Sequence, residues 1–247
     1  MISPLLRLVA LLVYILLPLS SFAKELPLST VDAGLLKGKT VIVYMHEERG
    51  TNLFNLRKEY TPEAKQKYEG VLVKREGQQD YGQTDGYEIR GGDPSHQVAM
   101  ALALLMSERY GMTLLRPQPV LLPDSGRVFV KDFDISSIPP ELAGSDYVVD
   151  VETYGMQLGQ LKSFEDPDFV FGNAIILVDS HSKRVLARRF CSYYNGHAMS
   201  DKQRPYLQTY LADDMSMFKR DLKKSAEVCI DSIRGDGLQG KFKQVRD

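Results

Sequence analysis

The hydrophobic pattern of this chain changes period several times, and each change marks an element. Thr40-Val41-Ile42-Val43-Tyr44-Met45 is β-branched, aromatic or apolar at every position. A short run of that kind predicts a buried strand. Val98 to Met106 is also apolar all round, but it follows Asp93 and Pro94, a cap and a first-turn proline. That combination predicts a buried helix, with Gly111 placed to end it. Residues 146–160 (DYVVDVETYGMQLGQ) alternate instead. Val149, Val151 and Thr153 share one face and Asp150 and Glu152 the other, the pattern of a half-buried strand. Gly155 inside it marks a bulge or bend.

The remaining stretches are read the same way. NAIILVD (173–179), a four-residue link and RVLARRFC (184–191) predict a β-hairpin. From Leu207 to Ile233 apolar residues recur at spacings of three and four, predicting a long amphipathic helix ended by Gly235 and Gly237. Residues 24–39 read as an extended lead-in and Thr61-Pro62-Glu63 as the start of a short helix to about Tyr68. Residues 70–93, rich in Gly, Gln and Asp, read as a long connection, within a loop insertion at about 50–93. The prolines at 117, 119 and 123 confine their segment to a sheet edge or rim, and 135–144 reads as turn-rich. The expected fold class is α+β: a mixed or mostly antiparallel sheet packed by a buried central helix and a long C-terminal amphipathic helix.

The amino terminus has its own signature. Arg7 precedes a twelve-residue apolar run, Leu8 to Leu19, and Ser21-Phe22-Ala23 offers small residues at a cleavage site. This is the layout of a secretory signal peptide ending near Ala23. The run is shorter than the ~20 residues a membrane span needs, although retention as an anchor is the alternative. No cysteine follows it, so a lipoprotein anchor is not expected. The expected organisation is therefore a signal over 1–23 and a single domain over 24–247, exported to the periplasm or beyond. No stable membrane span remains after cleavage.

Composition narrows the function. Hydrophobic residues form 43% of the chain, enough for a core. Loss of Arg7 with the signal leaves 30 basic and 32 acidic side chains, so nothing suggests nucleic acid as a partner. The only cysteines are Cys191 and Cys229. An exported chain with two cysteines favours a disulfide, and Cys229 lies on the apolar stripe of the last helix. A catalytic Cys191 with His197, or a zinc site from Cys191, His197 and Cys229, lacks the usual local spacing.

Other candidates are weaker. His46-Glu47-Glu48-Arg49-Gly50 follows the first strand, where open sheets hold ligands. It makes His46, Glu47 and Arg49 candidate site residues, against the plainer reading of a solvated strand end. Asp150 and Glu152 are a carboxylate pair on what reads as an exposed face. The Gly-rich entry at 88–93 lacks phosphate-loop spacing, and HExxH, GxSxG, EF-hand and CxxC motifs are absent. No cofactor or metal is expected. Tyr81, Tyr87, Tyr193, Tyr194, Tyr206 and Tyr210 fall in or near expected loops or the start of the last helix, as interface tyrosines or core-edge packing.

YVVDVETY, then AIILVDSHSKRVLARRF, then a long C-terminal helix resembles small α/β domains of Gram-negative envelope proteins, including the TolB amino-terminal-like group. The likeness covers about residues 145–235. It implies a periplasmic protein that binds or scaffolds another envelope component and supplies no catalytic residues. The expectation is thus a non-catalytic, exported binding protein. The alternatives are a periplasmic hydrolase with a site near His46 and Glu47, or a small-ligand or polymer binder using the Tyr-rich loops.

Overall fold

A computed structural model describes residues 26–48, 50–54, 72–74, 84–89, 92–123, 144–159, 168–195, 212–239 and 245–246. The signal-like segment, the helix expected over 61–68 and Arg49 lie outside the described residues. The fold is α+β, with helices packed on an open mixed sheet.

The lead-in expected to be extended contains a helix, α1 (Thr30–Leu36). Ser29 caps it: the Asp32 N–H donates to Ser29 Oγ at 3.0 Å, and that hydroxyl donates to Asp32 Oδ2 at 2.6 Å. The sequence carried this signal as Ser29-Thr30-Val31-Asp32, a capping-box spacing. Next come β1 (Thr40–His46) and β2 (Thr51–Phe54). Within the stretch read as a loop insertion, β2, β3 (Leu72–Lys74) and β4 (Thr84–Ile89) are strands. These strands (TNLF, LVK and TDGYEI) are too short to show a clear apolar period, and backbone pairing holds them in the sheet.

Helix α2 (Ser95–Glu108) begins two residues after Asp93, whose Oδ1 accepts the Ser95 N–H at 2.8 Å and the Thr153 hydroxyl at 2.6 Å. The expected cap is present, acting from one residue further upstream. Gly111, at φ +63, takes the left-handed turn that follows the helix. The inner stripe Val98, Ala99, Leu102, Ala103 and Met106 is buried, but Met100 and Leu104 are open. All-round apolarity therefore did not mean all-round burial, because α2 packs from one side only.

The rest of the sheet comprises β5 (Thr113–Leu114), β6 (Val120–Leu122), β7 (Tyr147–Gly159), β8 (Asp168–Asp179), β9 (Val185–Tyr194) and β10 (Val245–Arg246). The Pro-flanked segment does form edge strands, β5 and β6, both parallel to β1. β7 is the spine. Along one side it pairs antiparallel with β8, which pairs antiparallel with β9. The register of β7 shifts between Thr153 and Gly155, the bulge anticipated at that glycine. Across the strands a Cβ on Gly172 would lie 2.5 Å from the Tyr154 ring, so only glycine admits that aromatic.

The other side of β7 forks. β1 runs parallel to Tyr147–Val151, and β2 runs parallel to Gln157–Gly159. Between them the chain leaves β7, and the Glu47 N–H turns to the Leu122 carbonyl at 2.8 Å. β1 then leads to β5 and β6, while β2 leads to β4 and β3.

Helix α3 (Ala212–Asp236) lies across the sheet; its backbone at Asp213, Asp214 and Met215 has positive φ, so the regular helix follows them. One continuous core joins both halves of the chain: Val41, Val43, Leu102, Val149, Ile175, Phe171, Phe218 and Ile233 belong to it. Phe169 and Phe218 meet edge to face at 5.9 Å. Cys191 on β9 and Cys229 on α3 stand at disulfide distance within this core, Cα atoms 5.6 Å apart. The second sheet face is buried too, through Ile42, Tyr44, Leu122 and Val148 and through Ala174, Ile176 and Val178.

Candidate functional site

Period-two geometry sends Ile42, Tyr44 and His46 of β1 to the second face, beside Val148, Asp150 and Glu152 of β7. Parallel pairing sets the two strands about 4.8 Å apart, so same-face side chains meet. His46 Nε2 lies 2.7 Å from Asp150 Oδ1, across 104 residues of sequence. The ligand-capable atoms of His46, Asp150 and Glu152 all lie within 4.8 Å of one another. All three residues are at most 5% exposed.

This overturns the exposed reading of Asp150 and Glu152. Alternation identifies which residues share a face, but not whether that face meets water. Here it does not, and carboxylates are rarely so deeply buried without partners.

The hydrogen bonds of His46 define its proton state. Nδ1 lies 3.1 Å from the Pro123 carbonyl, which can only accept. Nδ1 therefore carries hydrogen. A second proton is shared between Nε2 and Asp150 Oδ1. Burial pushes the imidazole pKa down, but the hydrogen bond and charge of Asp150, the Pro123 carbonyl and the Glu152 charge together hold it above 6.5. The arrangement is a buried histidine–carboxyl pair joined by a hydrogen bond, with a second carboxyl group beside it.

The second shell reaches back to α2. His96 Nε2–H donates to the His46 carbonyl at 2.8 Å, and His96 Nδ1 is 3.8 Å from a Glu48 carboxylate oxygen. The first turn of α2 is thus tied to the last residue of β1, while Asp93 ties the entry to α2 to Thr153 of β7. Of the residues singled out from sequence, His46 sits in the cluster. Glu47 is exposed and does not join it. Asp150 and Glu152 were seen but read as solvated. The signal that could have placed them is β1 itself, since an apolar strand buried on both faces requires a neighbour buried on both faces.

The other sequence candidates separate. Tyr193 is buried in β9 rather than in a loop, 6.2 Å from the Phe169 ring. Tyr81, Tyr206, Tyr210 and His197 lie outside the described residues. His181 is exposed in the β8–β9 turn, where Asp179 Oδ1 accepts the His181 and Ser182 N–H groups.

Another buried carboxylate lies on the helix side. Asp221 of α3 accepts the Asn195 amide at 2.6 Å and faces the Tyr193 hydroxyl at 3.4 Å. Burial pushes its pKa up to about 6, against the lowering effect of those two partners.

No protein-family model matches the chain, and no curated protein does. Solved structures with a similar arrangement include a hypothetical protein of Chlamydia trachomatis, at 12% identity and TM-score 0.32, over 81% of this chain and 96% of that one. A Xanthomonas campestris protein of the DUF330 family aligns at 13% identity and TM-score 0.35, over 81% and 84%. A lipoprotein of Neisseria meningitidis aligns at 10% and 0.29, over 76% and 98%. At these scores the likenesses carry nothing about function.

Proposed function

We propose that this is an exported, extracytoplasmic α+β protein that acts by binding another cell-envelope component and not by catalysis. The observation that carries the binding reading is an open apolar stripe on α2. Met100 and Leu104 sit one turn apart and are 45% and 56% exposed. Val31 and Leu35 repeat the spacing on α1 at 77% and 59%. An exposed apolar stripe on a helix, as at Met100 and Leu104, is the kind of surface that marks a site of association. Export is supported by the signal-like amino terminus and by the Cys191–Cys229 pair, since disulfides persist in oxidising compartments. The likeness of residues 145–235 to TolB amino-terminal-like domains supports an envelope role in the same way.

The test is a photo-crosslinking residue at position 104 of the full chain in its own envelope, with position 227 on the polar face of α3 as control. The expected result is one discrete adduct from position 104, lost in Met100→Asp. Identical adducts from both positions, or none, would sink the binding reading. Thiol labelling with and without reductant checks export: no labelling before reduction is expected, and two free thiols would contradict it.

The hydrolase alternative at His46 and Glu47 draws support from the His46–Asp150 contact at the end of a parallel strand. It fares worse on chemistry. A general base needs a ring nitrogen that can reach substrate, and both nitrogens of His46 are engaged inside the protein.

A further inference from the structure

We propose that His46, Asp150 and Glu152 form a binding site for one divalent transition-metal ion, Zn²⁺ or Mn²⁺ by class. The site stands apart from the apolar surface of the proposed function, and its test reads metal rather than partner capture.

Three observations converge. The first is proximity: one ligand atom from each residue lies within 4.8 Å of the other two, so small side-chain rotations bring all three to the roughly 3.5 Å spacing that ligands about 2.1 Å from one tetrahedral ion require. The second is the orientation of the histidine. Its Nδ1–H donates to the Pro123 carbonyl, which leaves Nε2 facing the carboxylates. Metal-bound histidines are held in this way, the far ring nitrogen donating to a carbonyl or carboxylate. The third is support behind the ligands. The His46 carbonyl accepts from His96, and the adjacent Thr153 is anchored on Asp93, so both strands carrying the site are pinned to the entry of α2.

The ligand chemistry selects the metal class. One imidazole nitrogen with two carboxylate oxygens is a mixed set. Imidazole favours zinc and its neighbours, carboxylates favour manganese, and no sulfur is present to favour soft ions. Binding exchanges the proton at Nε2 for the ion. Two carboxylates and a neutral imidazole then face a 2+ charge, which balances within the cluster. The pattern escapes linear motifs because the ligands come from two parallel strands. Asp150 and Glu152 are two apart on β7, and His46 lies more than a hundred residues earlier on β1.

The experiment uses the full chain, stripped with EDTA and passed through gel filtration after addition of Zn²⁺ or Mn²⁺. Elemental analysis is expected to return one equivalent per chain. Thermal unfolding is expected to shift upward with metal concentration and to fall back with EDTA. Glu152→Gln should weaken binding at least tenfold, while His181→Gln, in an exposed turn, should leave it unchanged. If Glu152→Gln fails to fold, Co²⁺ added to the unaltered protein decides the matter. A visible absorption band saturating at one equivalent and displaced by Zn²⁺ supports the site. Metal at no defined stoichiometry, no shift of the melt, or equal loss in His181→Gln would overturn it and leave the cluster as a proton-held ion pair.

Discussion

Asp150 and Asp221 are two carboxylates buried almost equally, 1% and 4% exposed, on opposite faces of one sheet. They differ in what meets them. Asp150 meets the His46 ring at 2.7 Å, near the fork where β1 and β2 part along β7. Asp221 meets the Asn195 amide and the Tyr193 hydroxyl, with the exposed Arg220 no closer than 3.8 Å. On the fork side burial lowers the histidine's pKa, and the hydrogen bond and charge of Asp150, with Glu152 beside it, outweigh that and raise it. On the helix side neutral donors leave the carboxyl drawn toward its protonated form near neutral pH. For Asp221, burial outweighs the two hydrogen-bond partners that would lower its pKa.

The largest expected effect lies in the helix-side region. The Cys191–Cys229 pair closes a loop of 38 residues between β9 and α3. In the chain-entropy model such a link contributes about 4 kcal/mol. Cys191→Ser, or reductant added to the unaltered protein, should lower the denaturant midpoint accordingly. An unchanged midpoint would show that apolar packing alone holds α3 to the sheet.

Next comes the pH dependence that Asp221 imposes. Its folded pKa of about 6 stands above the usual 3.8, so the folded state binds the proton more tightly. Stability is full below pH 3.8 and declines as pH rises to about 6, by about 3 kcal/mol. Asp221→Asn, a standing mimic of the protonated acid, should flatten urea midpoints across that window. If the slope survives in the variant, it belongs to other groups and the contrast with the fork is wrong.

Smaller again is the anchor behind the fork. Asp93→Ala removes the acceptor for both Ser95 N–H and the buried Thr153 hydroxyl. A loss of about 2 kcal/mol is expected from a missing cap and an orphaned hydroxyl. Thermal unfolding measures it, and a loss near zero would mean that α2 is not fastened to β7 through this residue.

Local signals told much of this architecture. The β-branched run at 40–45, the bulge at Gly155, the hairpin on either side of 180–183 and the Asp93 cap each rest on interactions within a few residues, and each was readable. The approach of the two cysteines was also readable, because one falls on a helix stripe and a signal-like start favours their pairing. The strands of 51–54, 72–74 and 84–89 were not. They are too short to show a period, and β2 is placed in the sheet by pairing with β4 and with Gln157–Gly159, far along the chain. The candidate site failed for the same reason. His46 was picked for its position at a strand end, but Glu47, its neighbour in sequence, points to solvent. Its real partners, Asp150 and Glu152, lie on a strand whose alternation mimics a half-exposed one. Only the knowledge that β7 sits between β8 and β1, with both sheet faces covered, turns that polar stripe inward.

The most direct test of the matched pair at the fork is a double-mutant cycle on His46→Gln and Asp150→Asn, by denaturant unfolding with EDTA present. Each single change strands a buried group and should cost about 3–5 kcal/mol. The double variant should lose no more than the worse single, giving a coupling of at least about 3 kcal/mol. Losses that simply add would contradict the account, because His46 and Asp150 would then be buried neighbours without being partners.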